Sequence, residues 1–173
     1  MKYPRLSIVL TAAAAAVTLS LGAAPAVAAG SVPTKAAVGA VFVLTDDVAH
    51  NAVITYDRAP DGSLARTGTV GTGGSGAIVD GAVVDPLASQ GALTLDRRHR
   101  LLFAVNGGSD TVTVFGVNGS SLTRRQVLST HGDLPVSVSV VGDLAYVLNA
   151  RGGGSITGYR IVAVRVVPLP GST

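Results

Sequence analysis

The chain contains no cysteine, and this absence restricts both its stabilisation and its chemistry. A disulfide framework and a thiolate metal site are excluded, so a folded domain must depend on a packed core. Apolar residues make up 47% of the chain, which is sufficient for such a core. The glycine-rich segment at residues 72–76 lacks the Lys-Ser/Thr that follows a phosphate-binding loop. We therefore predict neither a cofactor nor a metal site.

Residues 1–28 have the layout of a secretory signal peptide. Lys2 and Arg5 provide a basic start, residues 6–21 form a largely apolar run, and Ala26-Val27-Ala28 offers a small-residue cleavage site. The alternative is an uncleaved membrane anchor, since a span needs ~20 apolar residues. The proline before the small residues favours cleavage. We expect the mature protein to be secreted or to lie at the exterior of the cell envelope, with no membrane segment after cleavage.

The charge gives no indication of a nucleic-acid partner. The formal net charge is +3, and loss of residues 1–28 would leave 11 basic and 10 acidic residues. Charged residues are only 13% of the chain, and blocks of Lys and Arg with interleaved aromatic residues, the usual mark of nucleic-acid binding, are missing. Residues 29–38 are expected to form a short linker before the first strand pattern.

The rest of the chain is organised as repeats of short strands. Residues 92–129 are patterned like four successive strands, and the segment that begins at Pro135 aligns with them without a gap at an offset of 43 residues. A partial copy surrounds Val41. Apolar and polar residues alternate within the copies, as in half-buried strands. Four-stranded repeats of this length are typical of β-propeller blades, whereas a β-sandwich would not predict copies with matching aromatic residues.

We therefore predict an all-β fold, a partial β-propeller of about two and three-quarter four-stranded blades. The matching aromatic residues Phe42 and Phe103 are 61 positions apart, but Phe103 and Tyr146 are only 43 apart. The extra residues fit a loop insertion, because loops tolerate insertions and strand ladders do not. The predicted blades are residues 39–70, 92–129 and 135–173, and the insertion is residues 71–91.

The blade motifs are Phe103-Ala104-Val105-Asn106 with Thr111-Val112-Thr113-Val114-Phe115, and Tyr146-Val147-Leu148-Asn149 with Ser155-Ile156-Thr157-Gly158-Tyr159. They resemble the lactonase-type β-propeller family, which includes phosphogluconolactonases and carboxymuconate cyclases. The chain has no tryptophan, so the Trp-Asp signature is absent and a kelch propeller loses support. The resemblance implies seven blades. We therefore expect an N-terminal part of a propeller, a fragment or truncated reading frame, whose unpaired edges favour self-association.

The resemblance also implies a function: hydrolysis or cycloisomerisation of a sugar-acid or muconate-type lactone. Two alternatives remain open from the sequence. One is a non-catalytic exported propeller that binds a protein or a glycan, and the other is a nonfunctional truncation product. The expected partner is therefore a small-molecule lactone or a glycan.

Alternating strand direction places the connections between blades on the same face as the loops between the second and third strands of each blade. On this face His131, Asp133 and Arg151 are the candidate catalytic residues, since His can act as a base and Arg can hold a carboxylate or lactone oxygen. A solvated loop is the alternative.

Four other patterns have simpler explanations. Asp46, Asp47 and His50 could supply metal ligands but are more typical of a polar loop. Residues 97–100 indicate a charged turn rather than a partner site. The recurrent asparagines of the blade motifs are attributed to turn geometry. Residues 118–120 fit a glycosylation acceptor in a tight hairpin.

Overall fold

A computed structural model describes residues 36–173. All regular structure within this range is β, and the eleven strands form three antiparallel sheets, which confirms the predicted all-β class. The predicted signal peptide and most of the predicted linker lie outside the described residues. Residues 36–173 include no helix long and apolar enough to cross a membrane.

Each sheet is a meander in which every strand pairs with its neighbour in sequence. The first sheet has three strands and the other two have four. The strands are β1 Gly39–Leu44, β2 Ala52–Arg58 and β3 Leu64–Gly71; β4 Leu93–Asp96, β5 Leu101–Asn106, β6 Thr111–Asn118 and β7 Ser121–Ser129; β8 Pro135–Val141, β9 Leu144–Asn149, β10 Ser155–Val162 and β11 Arg165–Pro168.

The strand registers show which strands are equivalent. The matching aromatic residues Phe42, Phe103 and Tyr146 lie on β1, β5 and β9, and each of these strands pairs with the next. The ladders β2–β3 and β6–β7 also shift register at matching positions, after Thr55 and Val114. Within the described residues, the first sheet therefore has no strand equivalent to β4 and β8. The third sheet is completed by β11, where the sequence predicted only a stub.

Each sheet uses its two faces differently. We call the face that carries Phe42, Phe103 or Tyr146 face A, and the opposite face, which carries Val43, Ala104 or Val147, face B. Face A of the first sheet packs on face B of the second, and face A of the second packs on face B of the third. The second sheet is covered on both faces, so β5 is buried along its whole length and its sequence is continuously apolar until Asn106.

The predicted insertion connects β3 to β4 without any strand of its own. Leu87 is buried in the core between the second and third sheets, and Ala77 and Val79 pack against it. Val83 and Val84, by contrast, are almost fully exposed. Part of the segment is apolar because it covers one end of the core. Its apolar residues follow no regular spacing because the segment forms no helix or strand.

Candidate functional site

Backbone hydrogen bonds join the loops at one end of the sheets into a continuous surface. Gly76 N donates to Asp47 O (2.8 Å), and Gly108 N donates to Ser75 O (3.0 Å). Further along, Thr130 N donates to Asp110 O (3.0 Å). We call this surface the loop face, and it is formed by residues 45–51, 72–76, 107–110, 130–134 and 150–154.

The loop face brings His131, Asp133 and Arg151 close together through the backbone. Arg151 N donates to Asp133 O at 3.1 Å, and Ala150 N donates to Leu134 O at 2.9 Å. All three candidate side chains are exposed. Among the described residues, no side-chain hydrogen bond or ion pair connects them. They form an open polar patch suited to contact a ligand, and within residues 36–173 no hydrogen bond to the His131 ring orients it as a base.

Beneath this patch, two buried asparagines hold the sheets together. Asn106 Nδ2 donates to Thr111 Oγ1 and Thr113 Oγ1, both at 2.9 Å. Thr113 Oγ1 in turn donates to Thr72 O (3.0 Å), which lies on the connection from the preceding sheet. Asn149 repeats the arrangement and donates to Thr130 O (3.2 Å).

The attribution of these asparagines to turn geometry was wrong. Neither Asn106 nor Asn149 has a positive φ, and both side chains are fully buried. Each donates hydrogen bonds to hydroxyl oxygens of its own sheet. A further bond, from Asn51 Nδ2 to Asn106 Oδ1 and from Asn149 Nδ2 to Thr130 O, joins each asparagine to a loop of the preceding sheet. They are polar ties within the sheet stack, which explains why the residue recurs.

A second repeat, which the sequence analysis missed, crosses each junction. Thr72-Gly73-Gly74 and Thr130-His131-Gly132 follow the last strands of the first and second sheets. A Cβ at Gly74 would lie 2.6 Å from Asn106 Cγ, so glycine is required there. His131 occupies the position of Gly73, and both residues have positive φ, 52° and 85° respectively. A histidine is thus kept in a conformation that favours glycine.

Asp46 is a buried acid that the sequence did not distinguish from its neighbours. Its carboxylate Oδ1 has no hydrogen-bond partner among the described residues, and its φ is 51°. Burial, with a smaller contribution from the Asp85 carboxylate, raises the pKa of Asp46 from 3.8 to about 6.

The metal interpretation of Asp46, Asp47 and His50 gains no support. Asp47 Oδ1 accepts hydrogen bonds from Ala49 N (2.9 Å) and His50 N (2.6 Å), and these bonds hold the pKa of Asp47 below its usual value. The carboxylate therefore caps its own loop. Residues 36–173 contain no cluster of three or more His, Cys, Asp or Glu placed to hold a metal.

Asp46→Asn should raise the free energy of unfolding at neutral pH by about 1 kcal/mol, because it removes a buried charge and asparagine tolerates positive φ. In the wild type, the folded chain holds a proton that the unfolded chain releases between about pH 4 and 6, so stability falls as pH rises through this window. Thermal unfolding at a series of pH values should show that the variant loses this fall. Asp47→Asn is the control and should retain it; an unchanged pH profile in Asp46→Asn would contradict the assignment.

The opposite end of the sheets carries a second polar connection. His99 Nδ1 lies 2.5 Å from Asp96 Oδ2, and His99 Nε2 lies 3.1 Å from Asp143 Oδ1. Arg98 Nη1 lies 3.4 Å from the same oxygen of Asp143. The predicted charged turn is therefore a tie between the β4–β5 turn and the β8–β9 turn.

A cleft of about 520 Å³ lies at this end between the first and second sheets. Its volume is within the range of small-molecule sites. Phe42 and Leu95 provide apolar walls, and Arg97, Arg100 and Asp57 provide charge. The cleft borders β1, the strand that lacks an inner neighbour among the described residues, and no sequence motif pointed to it.

No protein-family profile, curated protein or solved structure matched the chain. The likeness to lactonase-type blades therefore rests on the motifs of the sequence alone.

Proposed function

We propose that the three sheets are consecutive blades of a β-propeller of the lactonase type, and that the exported protein binds a small lactone or sugar acid on its loop face. The repeated packing of face A on face B supports the propeller, because blades around a channel stack in one direction. The blade motifs favour a lactone as the ligand.

The observation that carries the binding proposal is His131. A non-glycine residue at positive φ is strained, and such residues concentrate at functional sites. The equivalent position in the first connection is Gly73, so the fold itself does not require a histidine there. A backbone hydrogen bond holds Arg151 beside Asp133, two residues along the chain from the histidine. Arg can bind a carboxylate or a lactone carbonyl, and His can donate a hydrogen bond to a ring or hydroxyl oxygen.

Binding of an aldonolactone and of the corresponding open sugar acid should be measured by calorimetry. Arg151→Ala should weaken binding at least ~10-fold, the effect of losing one charge-assisted hydrogen bond. His131→Gly should also weaken binding and yet leave the melting temperature unchanged or higher, since glycine suits the positive φ. This separation of binding from stability would not arise from a purely structural histidine.

Arg165→Ala, an exposed arginine on β11, is the matched control and should bind as the wild type does. Lactone hydrolysis, the second candidate, is tested in the same samples by product NMR. If the wild type hydrolyses the lactone faster than the spontaneous rate and His131→Gly does not, the site is catalytic. Neither binding nor turnover for any lactone or sugar acid would contradict the proposal.

A further inference from the structure

A smaller cleft, of about 290 Å³, lies at the end of the sheets opposite the loop face, where the second sheet meets the third. Its walls are mostly polar. Arg100 and Arg125 provide two guanidinium groups, and Thr123 and Asn118 provide a hydroxyl and an amide. Val164, in the β10–β11 turn, borders the cleft from the third sheet. Every residue that lines it belongs to one of these two sheets or to their turns.

The local structure of β6 and β7 places Arg125 in this cleft. Arg125 is the residue of β7 that is left without a partner where the β6–β7 register shifts, and such a bulge redirects a side chain. Its side chain lies across Gly116, where a Cβ would be 2.3 Å from Arg125 Nε. The positions equivalent to Gly116 in the first and third sheets hold Asp57 and Arg160, so the fold itself does not require glycine there. Gly116 therefore serves to accommodate the arginine.

The acids beside this cleft are already engaged, whereas its two arginines are not. His99 Nδ1 lies 2.5 Å from Asp96 Oδ2, and His99 Nε2 lies 3.1 Å from Asp143 Oδ1. Within residues 36–173, no hydrogen bond or ion pair engages the guanidinium group of Arg100 or of Arg125, and no carboxylate lines the cleft. The cleft therefore has an excess of positive charge, which favours an anionic ligand.

We propose that this cleft binds a phosphate group, held by the guanidinium groups of Arg100 and Arg125 and by the hydroxyl of Thr123. The planar guanidinium group matches the spacing of phosphate oxygens. A phosphate ester carries a charge of about −1.5 to −2 at neutral pH, so it balances two arginines better than a carboxylate does. The cleft is smaller than most sites that enclose a whole small molecule, which suits a phosphate group. The proposal is independent of any ligand on the loop face.

Calorimetry on the full chain at low salt, with sodium phosphate and with glycerol 3-phosphate as separate ligands, tests this site. Arg125→Gln and Arg100→Asn should each weaken binding at least ~10-fold, the effect of losing a charge-assisted hydrogen bond. Asparagine suits the positive φ of Arg100, 54°. Arg66→Gln, which removes an exposed arginine of β3 outside the cleft, is the control and should bind as the wild type does. Tighter binding of glycerol 3-phosphate would identify the ligand as a phosphate ester, and equal or weaker binding would identify it as free phosphate.

Two variants that keep the charge distinguish a formed site from general attraction of anions. Arg125→Lys loses the planar fork of donors, and Gly116→Ala displaces the Arg125 side chain, so both should weaken binding. The melting temperature of each variant shows whether it is folded. Unchanged affinity in Arg125→Gln and Arg100→Asn, an equal loss in Arg66→Gln, or no binding of either ligand at ~10 mM would overturn the proposal, whatever the lactone assays show.

Discussion

Phe103→Ala should lower the free energy of unfolding by about 3 to 5 kcal/mol, the usual cost of deleting a buried aromatic ring. Phe103 lies at the centre of the second sheet's face A, and its ring packs within the core shared with Val138 and Val147 of the third sheet. Urea denaturation followed by circular dichroism measures the change. The removed ring leaves a cavity between two sheets that are each held by their neighbours, so little relaxation can fill it.

Tyr146→Ala is the matched control, since Tyr146 occupies the same position on the third sheet. At a concentration where light scattering shows a monomer, this variant should cost less than about 1 kcal/mol, because its ring is 39% exposed and no other sheet of the described residues covers it. Equal losses in the two variants would contradict the face assignment on which the stacking model depends.

Asn106→Ala should lower the free energy of unfolding by about 2 to 4 kcal/mol. Asn106 is fully buried; its Nδ2 donates to two hydroxyls, and its Oδ1 accepts a hydrogen bond from Asn51 Nδ2 (3.0 Å) in the β1–β2 loop. Truncation leaves several buried polar groups without partners, which costs more than the loss of the bonds themselves. The same denaturation experiment measures the effect.

Asn149→Ala should cost less than Asn106→Ala, because Asn149 Oδ1 has no hydrogen-bond partner among the described residues. Asn118→Ala, in an exposed hairpin turn, should have almost no effect. If Asn106→Ala were as mild as Asn118→Ala, the asparagine would be a turn residue after all, and the polar tie between sheets would be disproved.

The strands could be predicted from sequence because the order of apolar and polar residues in each strand depends on which of its faces are buried. Alternation marks β6 and β8, and the offset between Phe103 and Tyr146 reveals the repeat. β11 was predicted only as a stub because Pro168 and Pro170 interrupt its pattern, although four residues suffice for pairing with β10.

The candidate site was less accessible to sequence reasoning, because its distinguishing features arise from packing between sheets. His99 and Asp143 are 44 residues apart, and only the juxtaposition of two turns brings them together. The burial of Asp46 depends on Gly76, which packs on its backbone from another segment. The grouping of loops on one face was predictable, since it follows from strand direction alone.

The meander order of the strands also determines how the chain can fold. Every strand of residues 36–173 pairs only with its neighbours in sequence, so contact order within each sheet is low and each sheet can form rapidly. We expect assembly to proceed from the first sheet towards the third, with each new face B nucleating on the face A before it. The third sheet is then the last to pack against a neighbour. Folding intermediates in which it is not yet in place expose the apolar face A of the second sheet, which makes them prone to aggregate.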